Sequence, residues 1–227
     1  MKNTTINLGA IKKVALALNE LNEKVVYVGG AVVSLYINDV AADDVRPTKD
    51  VDISMEIASI GELEKLREDL LRKRFVQKSD DDVICRFHYE DVTIDVMSTK
   101  QVGWAPSDKW FKPGFEQSEE INIENTRIRI LPLAYFLATK FNAFHDRGGN
   151  DARASHDFED ITYILDNRVD LPEVISKASA DVKEYLQSEF LAIIEKPALQ
   201  EALQGNLYYE TRSIRYDMII EKLKRIV

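Results

Sequence analysis

Hydrophobic residues in the first part of the chain are spaced first as in a helix and then as in a strand. Between Leu8 and Leu21 they recur at every third or fourth position, which predicts an amphipathic helix. The β-branched run Val25–Val28 predicts a short strand ending at Gly29-Gly30, and the apolar residues 31–37 predict a buried helix after this turn. The pattern therefore indicates a strand, a glycine turn and a helix.

Alternation of polar and apolar residues predicts further strands between residues 50 and 130. The first, Asp50–Met55, has the pattern of a half-buried strand, and a charged helix follows it. Short polar turns then join two pairs of alternating segments, as in β-hairpins, with a loop between the pairs. The predicted bounds are 62–74 for the helix, 83–88 and 92–97 for the first hairpin, 103–120 for the loop, and 121–123 and 127–130 for the second hairpin.

Helical spacing continues alone after Pro132, a residue that suits the first turn of a helix. The predicted helices, which glycine or proline residues separate, cover 132–144, 155–166, 172–195 and 212–226. We therefore expect an α+β fold in two domains, a core over residues 1–131 and a helical domain over residues 132–227.

Charge and cysteine content narrow the functional classes. The chain has 39 acidic and 30 basic residues and a net charge of -9, which argues against a protein that coats nucleic acid. Its single cysteine, Cys85, lies in an apolar run, so we expect a buried thiol in a reducing compartment. No apolar run approaches the roughly 18 residues of a membrane-spanning helix. We therefore expect a cytoplasmic protein that does not enter a membrane.

Three aspartates carry the candidate chemistry. In Asp50-Val51-Asp52-Ile53 the interleaved apolar residues place both carboxylates on one face of a strand, about 7 Å apart at Cα. Asp95 alternates with apolar neighbours in the same way, and if the two strands lie side by side the three carboxylates converge. Like charges at such distances repel strongly, and a divalent cation relieves the repulsion.

Carboxylate oxygens suit Mg²⁺ or Mn²⁺, which bind a few carboxylates together with substrate phosphate oxygens. The sequence therefore predicts a metal site for phosphoryl chemistry with Asp50, Asp52 and Asp95 as ligands. In the alternative interpretation, Asp50 and Asp52 merely solvate an exposed strand face, and Asp95 is a surface residue unrelated to them. Gly29-Gly30 favours the metal site because glycines let backbone N–H groups approach a triphosphate, although a plain tight turn has the same sequence.

These motifs, in this order, resemble the DNA polymerase beta-like nucleotidyltransferase superfamily. The matching pieces are Tyr27-Val28-Gly29-Gly30, Asp50-Val51-Asp52-Ile53 and Ile94-Asp95-Val96. Further segments are similar to the AbiEii- and MenT-like branch of abortive-infection and toxin–antitoxin nucleotidyltransferases. They are residues 46–52, Leu131-Pro132, residues 138–143 and residues 156–161, and the resemblance covers roughly residues 25–165.

The resemblance implies a mixed β-sheet flanked by helices and followed by a C-terminal helical bundle. It implies an enzyme that moves a nucleotide from an NTP to a tRNA, protein or small-molecule acceptor, with Mg²⁺ or Mn²⁺ as cofactor and an antitoxin as partner. It also places Lys140 and Asp157 in the active site, with Asp160 as the second aspartate of its segment. Ala31 departs from the usual Ser or Thr, which weakens one phosphate contact, and His156 from the usual Lys or Arg.

The roles of several site residues stay open between two interpretations. Lys140 falls inside the apolar stripe of its helix, where a lysine must either extend to solvent or meet an anion such as a triphosphate. Asp157 follows the candidate N-cap Ser155, so a helix-dipole role competes with a catalytic one. Arg46 and Lys49 either contact phosphate or balance local acidic charge.

Asp95 has a further predicted role. It lies on a different strand from Asp50 and Asp52, so the pair is expected to keep the nucleotide-bound metal while Asp95 faces the acceptor. We therefore expect Asp95 to be a metal ligand and also the general base that takes the acceptor proton.

Two other functions fit parts of the pattern. His145, His156 and Asp157 suit a metal phosphohydrolase, but that function leaves Gly29-Gly30 and the strand carboxylates unexplained. The other is a catalytically inactive nucleotidyltransferase domain that serves as a binding module, against which the complete set of three aspartates argues.

Overall fold

A computed structural model describes residues 2–48, 50–81, 83–147 and 151–227 of the chain. The described residues form two compact units, one from the described parts of 2–34 and 44–132 and the other from those of 35–43 and 133–227. The division into domains 1–131 and 132–227 stays a prediction, and it did not place residues 35–43 with the helices. No described helix is long and apolar enough to cross a membrane.

The described strands of the first unit form one six-stranded mixed sheet in the order β3-β4-β2-β1-β6-β5. Parallel pairing joins β2 to β4 and β1 to β6, and the other neighbours are antiparallel. The bounds are β1 Val25–Val28, β2 Asp50–Met55, β3 Arg86–Tyr89, β4 Val92–Ser98, β5 Glu119–Ile123 and β6 Thr126–Ile130. This arrangement confirms the predicted α+β class with a mixed sheet.

Hydrophobic burial explains the central place of β1 and β2. All four residues of β1 are buried, as expected for a strand covered on both faces. Along β2, Val51 and Ile53 are buried while Asp50 and Asp52 are half-buried, as the alternation predicted. One face of β2 therefore joins the core, and the other presents carboxylates.

Helical segments of the first unit differ from the prediction at two places. The residues after Gly29 form a short 3₁₀ helix rather than an α-helix, and the predicted loop 103–120 contains a short helix, α3. The bounds are α1 Asn3–Leu18, α2 Ile60–Arg72 and α3 Phe111–Glu116, with 3₁₀ helices at Asn19–Lys24 and Gly30–Leu35. Helix α2 begins after an N-cap, because the Ser59 hydroxyl accepts a hydrogen bond from the Glu62 N–H.

The second unit is helical, as predicted, but its helices are more finely divided. The single helix expected over 172–195 is wrong, because the backbone ends one helix at Ser176 and starts the next at Ala180. Another helix, α8, begins at Pro197, where proline suits the first turn. The bounds are α4 Leu133–Asp146, α5 His156–Asn167, α6 Leu171–Ser176, α7 Ala180–Glu195, α8 Pro197–Gly205 and α9 Arg212–Lys224.

Aromatic side chains form much of the core of the second unit. Phe136 stacks on Tyr36 with ring centroids 4.3 Å apart, and Phe141 meets Phe190 edge to face at 5.9 Å. All four are buried, and each such side chain contributes about 1.5–3 kcal/mol by burial. The stacking on Tyr36 ties residues 35–43 to the helices of this unit.

Candidate active site

The polar face of the sheet brings Asp52 and Asp95 together. The parallel register of β2 and β4 makes them direct neighbours, so their Cβ atoms share one face. On the far side of Asp95, the antiparallel register of β3 and β4 places Arg86 opposite it. A row of Arg86, Asp95 and Asp52 thus crosses three strands.

A second polar row lies two residues away along the same strands. It contains His88, Thr93 and Asp50, which the two registers align in that order. The Thr48 hydroxyl donates a hydrogen bond to the Asp50 carboxylate, and His88 Nε2 lies 2.9 Å from an Asp81 oxygen. The three predicted aspartates therefore lie on one face of neighbouring strands.

Gly29 is required by the position of Asp52. Its φ of +70° is in the left-handed region, which favours glycine. A Cβ at this position would lie only 1.7 Å from Asp52 Oδ2, so the carboxylate lies against the bare backbone of the glycine turn. The glycine serves here to admit an acidic side chain.

A cationic side chain lies against Gly30, as the Asp52 carboxylate lies against Gly29. A Cβ at Gly30 would lie 2.6 Å from Nη2 of Arg46. The buried side chain of Asn7 holds the loop that carries this arginine, because its Nδ2 donates to the Arg46 carbonyl at 3.1 Å and its Oδ1 accepts from the Thr48 N–H at 3.2 Å. The structure therefore places Arg46 at the glycine turn, while Lys49 lies outside the described residues.

The guanidinium of Arg86 neutralises part of the acidic face. Its Nε and Nη2 donate to the two oxygens of Asp95 at 2.8 and 2.7 Å, in the bidentate geometry that matches guanidinium to carboxylate. Hydrogen bonding to Asp95 raises the pKa of Arg86, and the charges of Asp95, Asp50 and Asp81 raise it further.

Burial, with a smaller effect of the Asp95 charge, raises the pKa of the Cys85 thiol to about 11. Cys85 is buried, as predicted.

The donor chemistry of this face suits a hard divalent cation. Asp50, Asp52 and Asp95 offer carboxylate oxygens, and each oxygen keeps a lone pair after one hydrogen bond. Within the part of the chain that the structure describes, no three His, Cys, Asp or Glu side chains are already arranged around a metal position. The metal site formed by the three aspartates therefore stays a prediction.

The second unit contains the other group of predicted site residues. Lys140 on α4 is buried, and its Nζ donates to Asp157 at 3.1 Å and to Asp160 at 2.7 Å. Burial lowers the pKa of Lys140, but the charges of Asp160 and Asp157 and their hydrogen bonds outweigh it, so the pKa is raised. The alternative in which Lys140 extends to solvent is wrong. Its predicted contact with a triphosphate remains untested.

Asp157 lies in the first turn of α5. Ser155 caps this helix as predicted, accepting a hydrogen bond from the Phe158 N–H, so the position of Asp157 suits the helix dipole. Its second oxygen accepts from Nη1 of Arg147 at 3.0 Å. Both oxygens of Asp157 therefore contact cations of the same unit, and its catalytic role stays a prediction.

The histidines of the phosphohydrolase alternative have separate partners. His145 Nε2 lies 3.0 Å from Glu189, and His156 Nδ1 lies 3.1 Å from Glu159. Side chains of these types form no metal-holding group of three in the described ranges. The structure therefore gives this alternative no support.

Arg86, Thr48 and Asn7 were missed by the sequence analysis. A signal for Arg86 was present, because a two-residue turn at Glu90-Asp91 aligns the hairpin so that residues 86 and 95 are opposite. Asn7 and Thr48 gave no comparable signal, since their contact joins segments about forty residues apart in the chain.

Comparisons with known proteins agree with this architecture. A family model described as the nucleotidyl transferase AbiEii toxin of type IV toxin–antitoxin systems matches residues 14–225. An antigenic nucleotidyltransferase-like protein from Paracoccidioides brasiliensis has a similar fold, with a TM-score of 0.50 and 18% identity over 88% of this chain and 92% of that one. The antibiotic-resistance factor ANT(2'')-Ia gives a TM-score of 0.48 and 16% identity over 83% and 95%. Among curated proteins, none matches the chain.

The family match spans both units, including the glycine turn, the polar face of the sheet, and Lys140 with its partners Asp157 and Asp160. The chain is therefore a nucleotidyltransferase and belongs to the AbiEii toxin family of type IV toxin–antitoxin systems.

Proposed function

We propose that this enzyme transfers a nucleoside monophosphate from an NTP to an acceptor in a reaction that needs Mg²⁺ or Mn²⁺. The observation that carries the proposal is the strand register that makes Asp52 and Asp95 neighbours, with Asp50 on the same face. The carboxylate oxygens of all three are the proposed ligands. A bound divalent cation would neutralise the triphosphate and stabilise the charge that develops during transfer.

Asp95 also acts as the general base in this proposal. The acceptor hydroxyl loses its proton to a carboxylate oxygen of Asp95, its oxygen forms a bond to the α-phosphorus, and the bond from that phosphorus to pyrophosphate breaks. A base in this position accelerates such a step about 10²–10⁴-fold. Asp95 lies on a different strand from Asp50 and Asp52, which supports separate roles: the pair holds the nucleotide-bound metal and Asp95 faces the acceptor.

Gly29, Gly30, Arg46 and Lys49 are the proposed nucleotide contacts of the first unit. Support comes from the Arg46 guanidinium, which lies against the glycine turn beside the carboxylates. Such a planar cation forms two parallel hydrogen bonds to phosphate oxygens.

The proposal for the second unit assigns a triphosphate contact to Lys140 and a catalytic contribution to Asp157. The raised pKa of Lys140 keeps it a cation, as such a contact requires. The Lys140 ammonium has three N–H groups, and two of them donate to Asp157 and Asp160, so the proposed contact with a triphosphate oxygen would use the third.

The acceptor in this proposal is a tRNA, a protein hydroxyl or a small molecule, and the protein acts in the cytoplasm as the toxin of a pair with an antitoxin. Support for the toxin role is the family itself, whose description names a type IV toxin–antitoxin system. Coexpression with the product of the neighbouring gene tests it, and we expect that product to relieve growth arrest.

Labelled nucleotide transfer tests the proposed reaction. The protein is incubated with each α-labelled NTP, Mg²⁺ and either total tRNA or cell lysate, and the labelled pool identifies the acceptor. We expect Asp50→Asn and Asp52→Asn to lose both Mg-NTP binding and transfer, and Asp95→Asn to lose transfer while Mg-NTP affinity stays within a few-fold.

The same set of variants separates the alternatives. Equal loss of Mg-NTP affinity in all three would contradict a separate role for Asp95. Mg-NTP binding by the wild type without transfer to any pool would favour the inactive binding module. Unchanged Mg²⁺-dependent binding in Asp52→Asn, with a large loss of stability, would reject the metal site.

A further inference from the structure

Arg86 holds Asp95 through both of its carboxylate oxygens. Two parallel hydrogen bonds of 2.8 and 2.7 Å prevent the carboxylate from rotating, which a single hydrogen bond would not do. The side chain of Asp95 is only 13% exposed and that of Arg86 28%, so water competes little for these bonds. The orientation of Asp95 is therefore set by its partner on β3.

The hydrophobic contacts of this hairpin come from the opposite face. Phe87 and Ile94, which alternate with Arg86 and Asp95, are both buried and supply the apolar packing of β3 on β4. Arg86 thus contributes its charge to the polar face and orients the Asp95 carboxylate there. Asp52 is the next side chain in the same row.

We propose that Arg86 is a positioning residue for nucleotide transfer, which keeps the Asp95 carboxylate aimed at the acceptor. The inference rests on the proposed function of Asp95. Arg86 takes one lone pair from each oxygen, and the remaining lone pairs are left to accept the acceptor proton and to face the Asp52 side of the site. Catalytic groups that are fixed in this way lose little entropy on reaching the transition state.

A double-mutant cycle on single-turnover transfer tests this role. Arg86→Gln is expected to slow transfer about 10–100-fold, the usual cost of removing a partner that orients a functional side chain. In the Asp95→Asn background the same change is expected to have no further effect, because the carboxylate through which Arg86 acts is gone. Mg-NTP affinity, measured by titration, is expected to stay within a few-fold of wild type.

Two further variants control the interpretation. Arg86→Lys keeps the charge but loses the bidentate geometry, so transfer should fall less than in Arg86→Gln. Arg72→Gln removes an arginine that pairs with Asp69 on the exposed surface of α2, and it should leave transfer unchanged. If Arg86→Gln does not fold, the cycle is run with Arg86→Lys, which retains the pairing charge.

The outcomes separate this inference from the proposed function. An equal slowing by Arg86→Gln with and without the Asp95 carboxylate would mean that Arg86 acts directly on substrate, and full transfer in folded Arg86→Gln would mean that it only stabilises the hairpin. Either result overturns the inference and leaves the transfer reaction intact. A wild type that neither binds Mg-NTP nor transfers label overturns both.

Discussion

Replacing Gly29 with alanine would place a methyl group where the Asp52 carboxylate lies. The added Cβ would be 1.7 Å from Asp52 Oδ2, whereas ordinary contact needs about 3.5 Å, so the oxygen must retreat by about 2 Å. The φ of +70° adds strain for any L-residue of roughly 1–2 kcal/mol. Gly29→Ala is therefore expected to lower the free energy of unfolding by about 1–3 kcal/mol.

The effect on transfer should exceed the effect on folding. A displacement of only about 1 Å in a reacting group costs about 100-fold in rate, and the Asp52 carboxylate has to move further than that. We expect Gly29→Ala to unfold cooperatively in urea at a lower midpoint and to transfer labelled nucleotide at least about 100-fold more slowly than wild type.

Two glycines of the same unit provide matched controls. Gly103 also has a positive φ, +50°, but its Cβ would meet only Leu63 and Ile60, so Gly103→Ala should reproduce the strain without the loss of transfer. A Cβ at Gly30 would meet the flexible end of Arg46, so Gly30→Ala should fold normally. Wild-type transfer by Gly29→Ala, or an equal loss of transfer in Gly103→Ala, would refute the role of Gly29 in placing Asp52.

Other residues offer independent tests. Lys140→Met should lower the free energy of unfolding by about 3–5 kcal/mol, since it removes the cation between two buried carboxylates, Asp157 and Asp160, of which Asp157 keeps its contact with Arg147. The same variant should weaken NTP binding by about 1–3 kcal/mol in titrations, and unaltered affinity in a folded sample would reject the triphosphate contact. Because burial raises the pKa of the Cys85 thiol from 9.0 to about 11, its contribution to stability is present below pH 9 and lost as the pH rises through 11. Cys85→Ala should therefore reduce the loss of stability in urea unfolding between pH 9 and 11, and an identical pH dependence in wild type and variant would contradict this.

Local sequence patterns determined the elements that carry the site. Alternation placed Asp50 and Asp52 on one face of β2, because successive side chains of a strand point to opposite sides whatever the strand pairs with. The turn after β3 is equally local, so the alignment of Arg86 with Asp95 was implicit in the number of residues between them.

Only the tertiary structure decided which elements meet. The neighbours of β2, the packing of Asp52 on Gly29, and the pairing of Lys140 with Asp157 and Asp160 join segments that are 17 or more residues apart. Periodicity shows only which face of an element is apolar. Pairing between distant elements depends on the whole fold, because hydrophobic burial and charge compensation must outweigh the entropy lost on closing the loops between the elements.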